Sequence, residues 1–199
     1  MFERQHKGSS ENDSKIVKLS LYPQDDVQLW NAFRNGDDNA LVVIFEKESD
    51  ALFNYGVRIF HNDEIVRDTI QDLFAELCQN RSGLSETTSI RFYLLKALRR
   101  KLFRAKKKSL RHMFWLTEPE NIPSAEFQMI SQQVAEEKRD QVTYLLKSLS
   151  KRQREAIFLR YYEDLSYEKI AEILNISRQG AYNMVSKAML QLRECLLSK

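Results

Sequence analysis

The sequence predicts an all-α protein made of two small helical domains joined by a flexible linker. Three observations lead there. Only five Gly and three Pro interrupt 199 residues, and good helix formers fill the stretches between them. Apolar residues, 43% of the chain against 30% charged, recur at three- and four-residue steps rather than alternating. Finally, the periodic text breaks once for a long interval, in the segment containing "TEPENIPSAEFQ", which carries two of the three prolines.

The elements follow in order. Residues 1–24 are polar and aperiodic, which predicts a flexible tail. Asp25 or Asp26 can cap a short helix carrying Leu29, Trp30 and Phe33, with Gly36 as its stop. A second helix is expected over about 39–60, with Leu41, Phe45, Leu52 and Ile59 inward. A third starts near Asn62 and repeats Val66, Ile70, Leu73, Phe74 and Leu77. The polar stretch "QNRSGLSETTS" ends it. A fourth helix, roughly 89–110, turns Ile90, Tyr93, Leu94, Ala97 and Leu98 inward. These elements define a first domain over 25–110, followed by a linker over 111–133. The second domain, 134–199, contains "VTYLLKSL", then "KRQREAIFLRYY", then two closely spaced helices.

Charge is sorted along the chain although its net value is only +3. Ten Lys or Arg and no acid lie between Arg91 and Arg111, whereas Asp63–Glu76 holds five acids against one Arg. Such sorting predicts two surfaces for two partners. Cys78 and Cys195 lack neighbours at metal-ligand spacing and read as reduced helix residues. No apolar run reaches the roughly 18 residues of a membrane span, and the first residues lack a signal-peptide core. A cytoplasmic protein without membrane insertion is expected. There is no phosphate-cradling Gly loop, metal-ligand pattern or nucleophile–base pairing, so the expectation is a non-enzyme with no cofactor and no metal.

The stretch "LSYEKIAEILNISRQGAYNMVSKAMLQLR", Leu165–Arg193, carries the most chemistry. Two short helical patterns separated by Asn-Ile-Ser must cross steeply, as in a helix-turn-helix. Ala171 supplies the small residue at the crossing, and Ile170, Leu174, Ile176, Ala181 and Met184 hold the pair together. Asn175 tolerates the left-handed turn that such a motif needs, and Ser166 and Ser177 stand where N-caps belong. Arg178, Gln179, Tyr182, Asn183, Ser186 and Lys187 point away from the apolar set. Arg reads guanine and Asn or Gln reads adenine through paired hydrogen bonds. An ordinary helical hairpin with a solvated face is the plainer reading, but the angle-setting and base-reading residues fall in register together.

"IRFYLLKALRRKLFRAKKKSLRHMFW" is a basic helix interleaved with aromatics. Its Tyr93, Lys96, Arg99, Arg100, Lys101, Arg104, Lys106, Lys107 and Lys108 suit a nucleic-acid backbone and unpaired bases. A grip on single strands beside a reader of duplex suggests a protein that opens DNA.

Taken together, the chain from Asp25 to Leu197 resembles a bacterial RNA polymerase sigma factor of the sigma-70 family, extracytoplasmic-function type. "VRDTIQDLFAEL" resembles the region 2 helix that docks on the polymerase clamp, and Asp68, Gln71 and Asp72 fall on its Asp, Gln and Glu positions. "FYLLKALRRKLFRAKKKS" is similar to the segment that recognises and melts the minus-ten element. "LLKSLSKRQREAIFLRYYEDLSYEKIAEILNISRQGAYNMVSKAMLQLR" resembles region 4, which reads the minus-thirty-five element; there Ser177, Arg178, Gln179, Tyr182, Asn183, Ser186 and Lys187 become the major-groove set. The resemblance implies core RNA polymerase, through the clamp and flap regions of its large subunits, and promoter DNA as partners. It also implies an anti-sigma factor or another targeting regulator, and a base-capturing role for the loop from Asn80 to Thr88. Departures include Tyr93 for Trp, Arg100 for Asn, Arg67 for Glu, and Asn175 for Gly. The rival expectation is a stand-alone helix-turn-helix regulator that needs no polymerase.

Overall fold

The computed structural model describes residues 25–113, 146 and 148–197, and the side chains up to Ala105 within the first of these ranges. The tail over 1–24 and the linker beyond residue 113 lie outside the described residues, as does most of 134–149. Seven α-helices and no strand are found among the described residues: α1 (Asp26–Arg34), α2 (Asp38–Phe60), α3 (Asp63–Gln79), α4 (Ile90–Met113), α5 (Lys151–Tyr161), α6 (Tyr167–Leu174) and α7 (Arg178–Leu197), with a 3-10 turn over Arg81–Gly83. None of the described helices is long and apolar enough to cross a membrane.

Side chains placed just before each helix explain where it starts. The Asp25 carboxylate accepts from Val27 N, Asp37 from Asn39 N and Asn62 from Ile65 N. Each satisfies a backbone donor that the first helical turn leaves open. At α5, Ser150 and Gln153 form a reciprocal capping box. The α4 start is capped from a distance: Asp26 Oδ2 accepts from Ile90 N at 2.9 Å. That bond ties the beginning of the chain to the basic helix.

Helices α1–α4 close around Trp30, Phe33, Ile44, Leu52, Leu94, Leu95, Leu98 and Leu102, all fully buried. Trp30 lies against Phe33 and Tyr93 at 5.7 and 4.9 Å between ring centroids. Its indole donates to Ser85 O at 2.9 Å, which fixes the loop before α4. Between α2 and α3 the chain turns in two residues, His61 taking a left-handed conformation at φ 53°. The two helices therefore approach closely, and a Cβ on Gly56 would lie 2.5 Å from Val66 Cγ1.

The inner side of α2 differs from the expected set. Leu52 is inside and Leu41 and Ile59 are partly covered, but Phe45 is 42% exposed and leans edge-on against Phe74 at 4.9 Å. The true inner stripe runs through Ala40, Ile44, Glu48, Leu52, Tyr55 and Gly56. Two polar residues sit in that stripe, so a purely apolar pattern is drawn off by about one residue toward Phe45. Glu48 and Tyr55 can be inside because α5 and α4 bring partners to them, as described below.

Gly56→Ala is expected to destabilise the protein by about 1–3 kcal/mol, the usual cost of forcing a methyl into a packed contact. Thermal unfolding followed by circular dichroism checks this; an unchanged midpoint would show that α3 can shift away freely.

Candidate nucleic-acid interface

Helices α6 and α7 are separated by Asn175, Ile176 and Ser177 alone. Asn175 occupies the left-handed region at φ 53° and ψ 56°, and its N–H, with that of Ile176, donates to Ala171 O. Ser166 caps α6 by accepting from Lys169 N, and the Ser177 hydroxyl accepts from Gly180 N at 3.0 Å. Ile170, Ala171, Leu174 and Ala181 are buried, together with Ile173, Val185 and Ala188, while Ile176 and Met184 are partly covered. Packing the apolar set inward turns the other side of α7 out. Ser177, Arg178, Gln179, Tyr182, Asn183, Ser186 and Lys187 are all exposed.

These exposed groups are partly pre-ordered. The Gln179 amide donates to Asn183 Oδ1 at 2.9 Å, and Tyr182 packs edge-on against Tyr167 at 5.3 Å. Arg178 is ion-paired to Glu168 on α6. The Glu168 carboxyl is held below the usual range by its own backbone N–H, by the Ser166 hydroxyl and by Arg178.

Basic residues on α4 divide between two sides of the helix. On one side Tyr93, Arg100, Lys101 and Arg104 face α3 across a cavity of about 400 Å³, whose walls include Asp72, Glu76, Asn80 and Leu84. Its size falls within the range of small-ligand sites. Lys101 is paired with Glu76, whereas Arg100 and Arg104 are exposed. On the other side Lys96 and Arg99 point toward α5 and α6. The side chains of Lys106, Lys107 and Lys108 lie outside the described residues.

Asp68, Gln71 and Asp72 are exposed along α3, opposite the buried Val66, Ile70 and Leu73. Arg67, beside them, stacks its guanidinium 4.3 Å above the Phe53 ring. That contact accounts for an Arg at this position through α2 packing.

Residues 139–192 match the family profile described as Sigma-70, region 4. The RNA polymerase sigma factor YlaC of Bacillus subtilis (strain 168) is 22% identical over 153 residues, 76% of this chain and 88% of that protein. Among solved structures, the sigma factor RpoE in its co-crystal with the anti-sigma factor NepR from Bartonella quintana superposes with a TM-score of 0.57. It is 22% identical, over 78% of this chain and 93% of that one. CnrH in complex with the cytosolic domain of CnrY gives 0.59 at 17% identity, over 87% and 98%.

The chain is similar to RNA polymerase sigma factors, and its residues 139–192 carry the sigma-70 region 4 pattern.

One cluster has no counterpart in the sequence-based expectations. Glu155 on α5 is 5% exposed, and its Oε1 accepts from the Tyr55 hydroxyl at 2.7 Å and from Arg99 Nε at 2.8 Å. Arg91 donates through Nε to Glu48 Oε2 at 2.7 Å, and its Nη1 lies 3.5 Å from Glu163 Oε2. Lys96 pairs with Glu172 at 2.8 Å. Arg58 stacks over Phe158 and Tyr162 at 4.5 and 5.5 Å. Apart from Arg91–Glu48, which ties α4 to α2, these contacts join α2 or α4 to the α5–α6 segment. Two sequence signals pointed here: a carboxylate at the Ile44–Glu48–Leu52 register, and another inside the apolar run "EAIFL". A charge at a core register implies a buried partner.

Burial and then the Glu155 carboxylate push the Tyr55 hydroxyl well above its usual value. Burial opposes the charge on Arg99 and Arg91, but their carboxylate partners outweigh it and hold both guanidiniums more firmly protonated. Glu163 behaves differently. Its side chain is fully buried and neither oxygen has a hydrogen-bond partner among the described residues. Burial therefore raises its pKa despite Arg91.

A raised carboxyl pKa stabilises the fold below the unfolded value, about 4.3, and that contribution is lost as pH rises through the folded value. The melting temperature of the native chain, relative to Glu163→Gln, is therefore expected to fall as pH rises from about 4.5 toward neutrality. A difference in melting temperature that does not vary with pH would remove Glu163 as the titrating group.

Proposed function

We propose that the chain is a sigma-70-family sigma factor of the extracytoplasmic-function type, which binds core RNA polymerase, brings it to promoters and assists strand opening by holding two elements of the same start site. Helix α7 enters the major groove of the upstream element, with Arg178, Gln179 and Asn183 reading bases and Ser177, Tyr182, Ser186 and Lys187 flanking them. Arg100 and Arg104, with Tyr93, meet the downstream strand, and the run Lys106–Lys108 continues the same basic helix. The cavity between α3 and α4, whose walls include Asn80 and Leu84, is the place for an unstacked base. Extruding a base costs a few kcal/mol, which backbone and stacking contacts can offset without fuel. No chemical step is assigned to the chain; its work is binding.

Asp68, Gln71 and Asp72 are assigned to the polymerase clamp. None of the three enters an ion pair with a described residue. That acidic side has no use in a stand-alone DNA binder, which favours the polymerase-dependent reading. A protein antagonist is assigned too, by analogy with the RpoE–NepR pair. The observation that carries the reading is the register of α7: all seven expected groove residues share the exposed side of a helix whose other side is locked by the Asn175 turn.

Arg178→Ala should lower run-off transcription from the dependent promoters by roughly five- to a hundredfold, matching about 1–3 kcal/mol for a paired base contact. Polymerase binding should survive; its loss would count against a DNA-reading role. Asp68→Ala combined with Asp72→Ala should reduce co-purification with core polymerase while leaving binding to duplex promoter DNA intact. An unchanged pull-down would remove both carboxylates from the docking surface.

A further inference from the structure

Arg178 stands first on α7, and its side chain is 72% exposed. A side chain of this length has many rotamers in water, and against a duplex it has two kinds of target. Phosphates attract it electrostatically and carry no sequence information, whereas guanine offers O6 and N7 to a pair of N–H groups. A base reader at this position needs a bias toward the second target.

Glu168 on α6 supplies one. Its carboxylate accepts from Arg178 Nε, so the bond takes the inner edge of the guanidinium. Both Nη groups, which together can grip a guanine edge, stay outside that bond. The carboxylate is itself fixed: its own backbone N–H and the Ser166 hydroxyl hold it, and with Arg178 they keep it ionised below the usual carboxylate range. The frame between the two residues is braced as well. Tyr167, next to Glu168, packs edge-on against Tyr182 at 5.3 Å, and Ile170, Ala171 and Ala181 are buried. A paired carboxylate also offsets the positive charge that draws Arg178 to a phosphate.

We propose that Glu168 is a positioning residue that turns the Arg178 guanidinium end-on into the groove and away from the backbone, and so sets base discrimination rather than affinity. The inference rests on the reading of α7 as the groove helix. It makes a two-sided demand. Loss of Glu168 removes an anion beside the exposed side of α7, so total duplex affinity holds or rises while selectivity falls. An exposed pair shifts a population by no more than about fivefold in water, which sets the size of the effect.

The full chain, assembled with core polymerase, is presented with a randomised duplex library, and the retained sequences are read. Native chain, Arg178→Ala, Glu168→Ala and Glu168→Gln are compared with Glu194→Gln, which removes an exposed acid toward the far end of α7. The base pair whose preference vanishes in Arg178→Ala is the one that Arg178 reads. There Glu168→Ala is expected to cut the guanine preference by about fivefold. Fluorescence anisotropy on a selected duplex should show undiminished affinity, with a salt dependence steeper by about one phosphate contact. Glu168→Gln keeps an oxygen that can accept from Nε and should retain part of the preference, and Glu194→Gln should change neither readout. Preferences set by Gln179 and Asn183, which bond each other at 2.9 Å, should survive. Their loss along with the guanine preference marks general damage to the helix pair and overturns the positioning role. An unchanged guanine preference overturns it too, whether or not affinity falls. If Glu168→Ala loses helical circular dichroism, Glu168→Gln is read in its place by the same criteria with a smaller change. Should Arg178→Ala erase no preference, groove reading by Arg178 fails and the positioning role falls with it; every other outcome leaves that reading standing.

Discussion

The arrangement of the two halves depends on one buried carboxylate. Glu155 receives a hydroxyl from α2 and a guanidinium from α4 while standing on α5, so a single oxygen, Oε1, pins three helices. Removing an ionised carboxylate from water costs several kcal/mol even after relaxation, and only good geometry with added hydrogen bonds recovers it. Here both conditions are met, since the guanidinium also reaches Oε2 at 3.4 Å. The consequence is specificity of position. An apolar contact between α2 and α5 could slide, but a carboxylate that must find both Tyr55 and Arg99 has one register. The stacking of Arg58 on Phe158 and Tyr162 and the Arg91 cluster then fall into place around it.

One helix divides its cations between two flanks because of its period. At 3.6 residues per turn, Tyr93, Arg100 and Arg104 line up on one flank of α4, and Lys96 and Arg99 on another. The buried Leu94, Leu98 and Leu102 lie between them against the core. The Arg100 and Arg104 flank stays open while Lys96 and Arg99 are held by acids from α6 and α5. The same density of positive charge that suits a phosphate backbone would repel itself in a free helix, and the carboxylates of α3 and α5–α6 relieve that repulsion.

Much of this was legible in the residues. Helix starts at Asp25, Asn62 and Ser166 and the left-handed turn at Asn175 follow from local chemistry acting over a few positions, which a sequence displays directly. So does the exposed register of α7, because a strongly amphipathic short helix has one way to bury its apolar side. The misplacement of Phe45 and the overlooked Glu48, Glu155 and Glu163 have a common cause. Their burial depends on partners about 40 to 100 residues away in sequence, and no local pattern announces a buried ion pair. Arg99 illustrates the limit. By composition it belongs with the other strand-binding cations, and only the fold separates it from Arg100 next door.

The chemistry of the contact also bears on whether it can open. A permanent joint between domains is built from apolar surface, which gains nothing from separation in water. The joint here mixes stacked rings and apolar contacts with ion pairs, and Glu163 has no hydrogen-bond partner among the described residues, at a cost to its charged form. Charges and guanidiniums recover hydration on exposure, so separation loses less than an apolar area of equal size would.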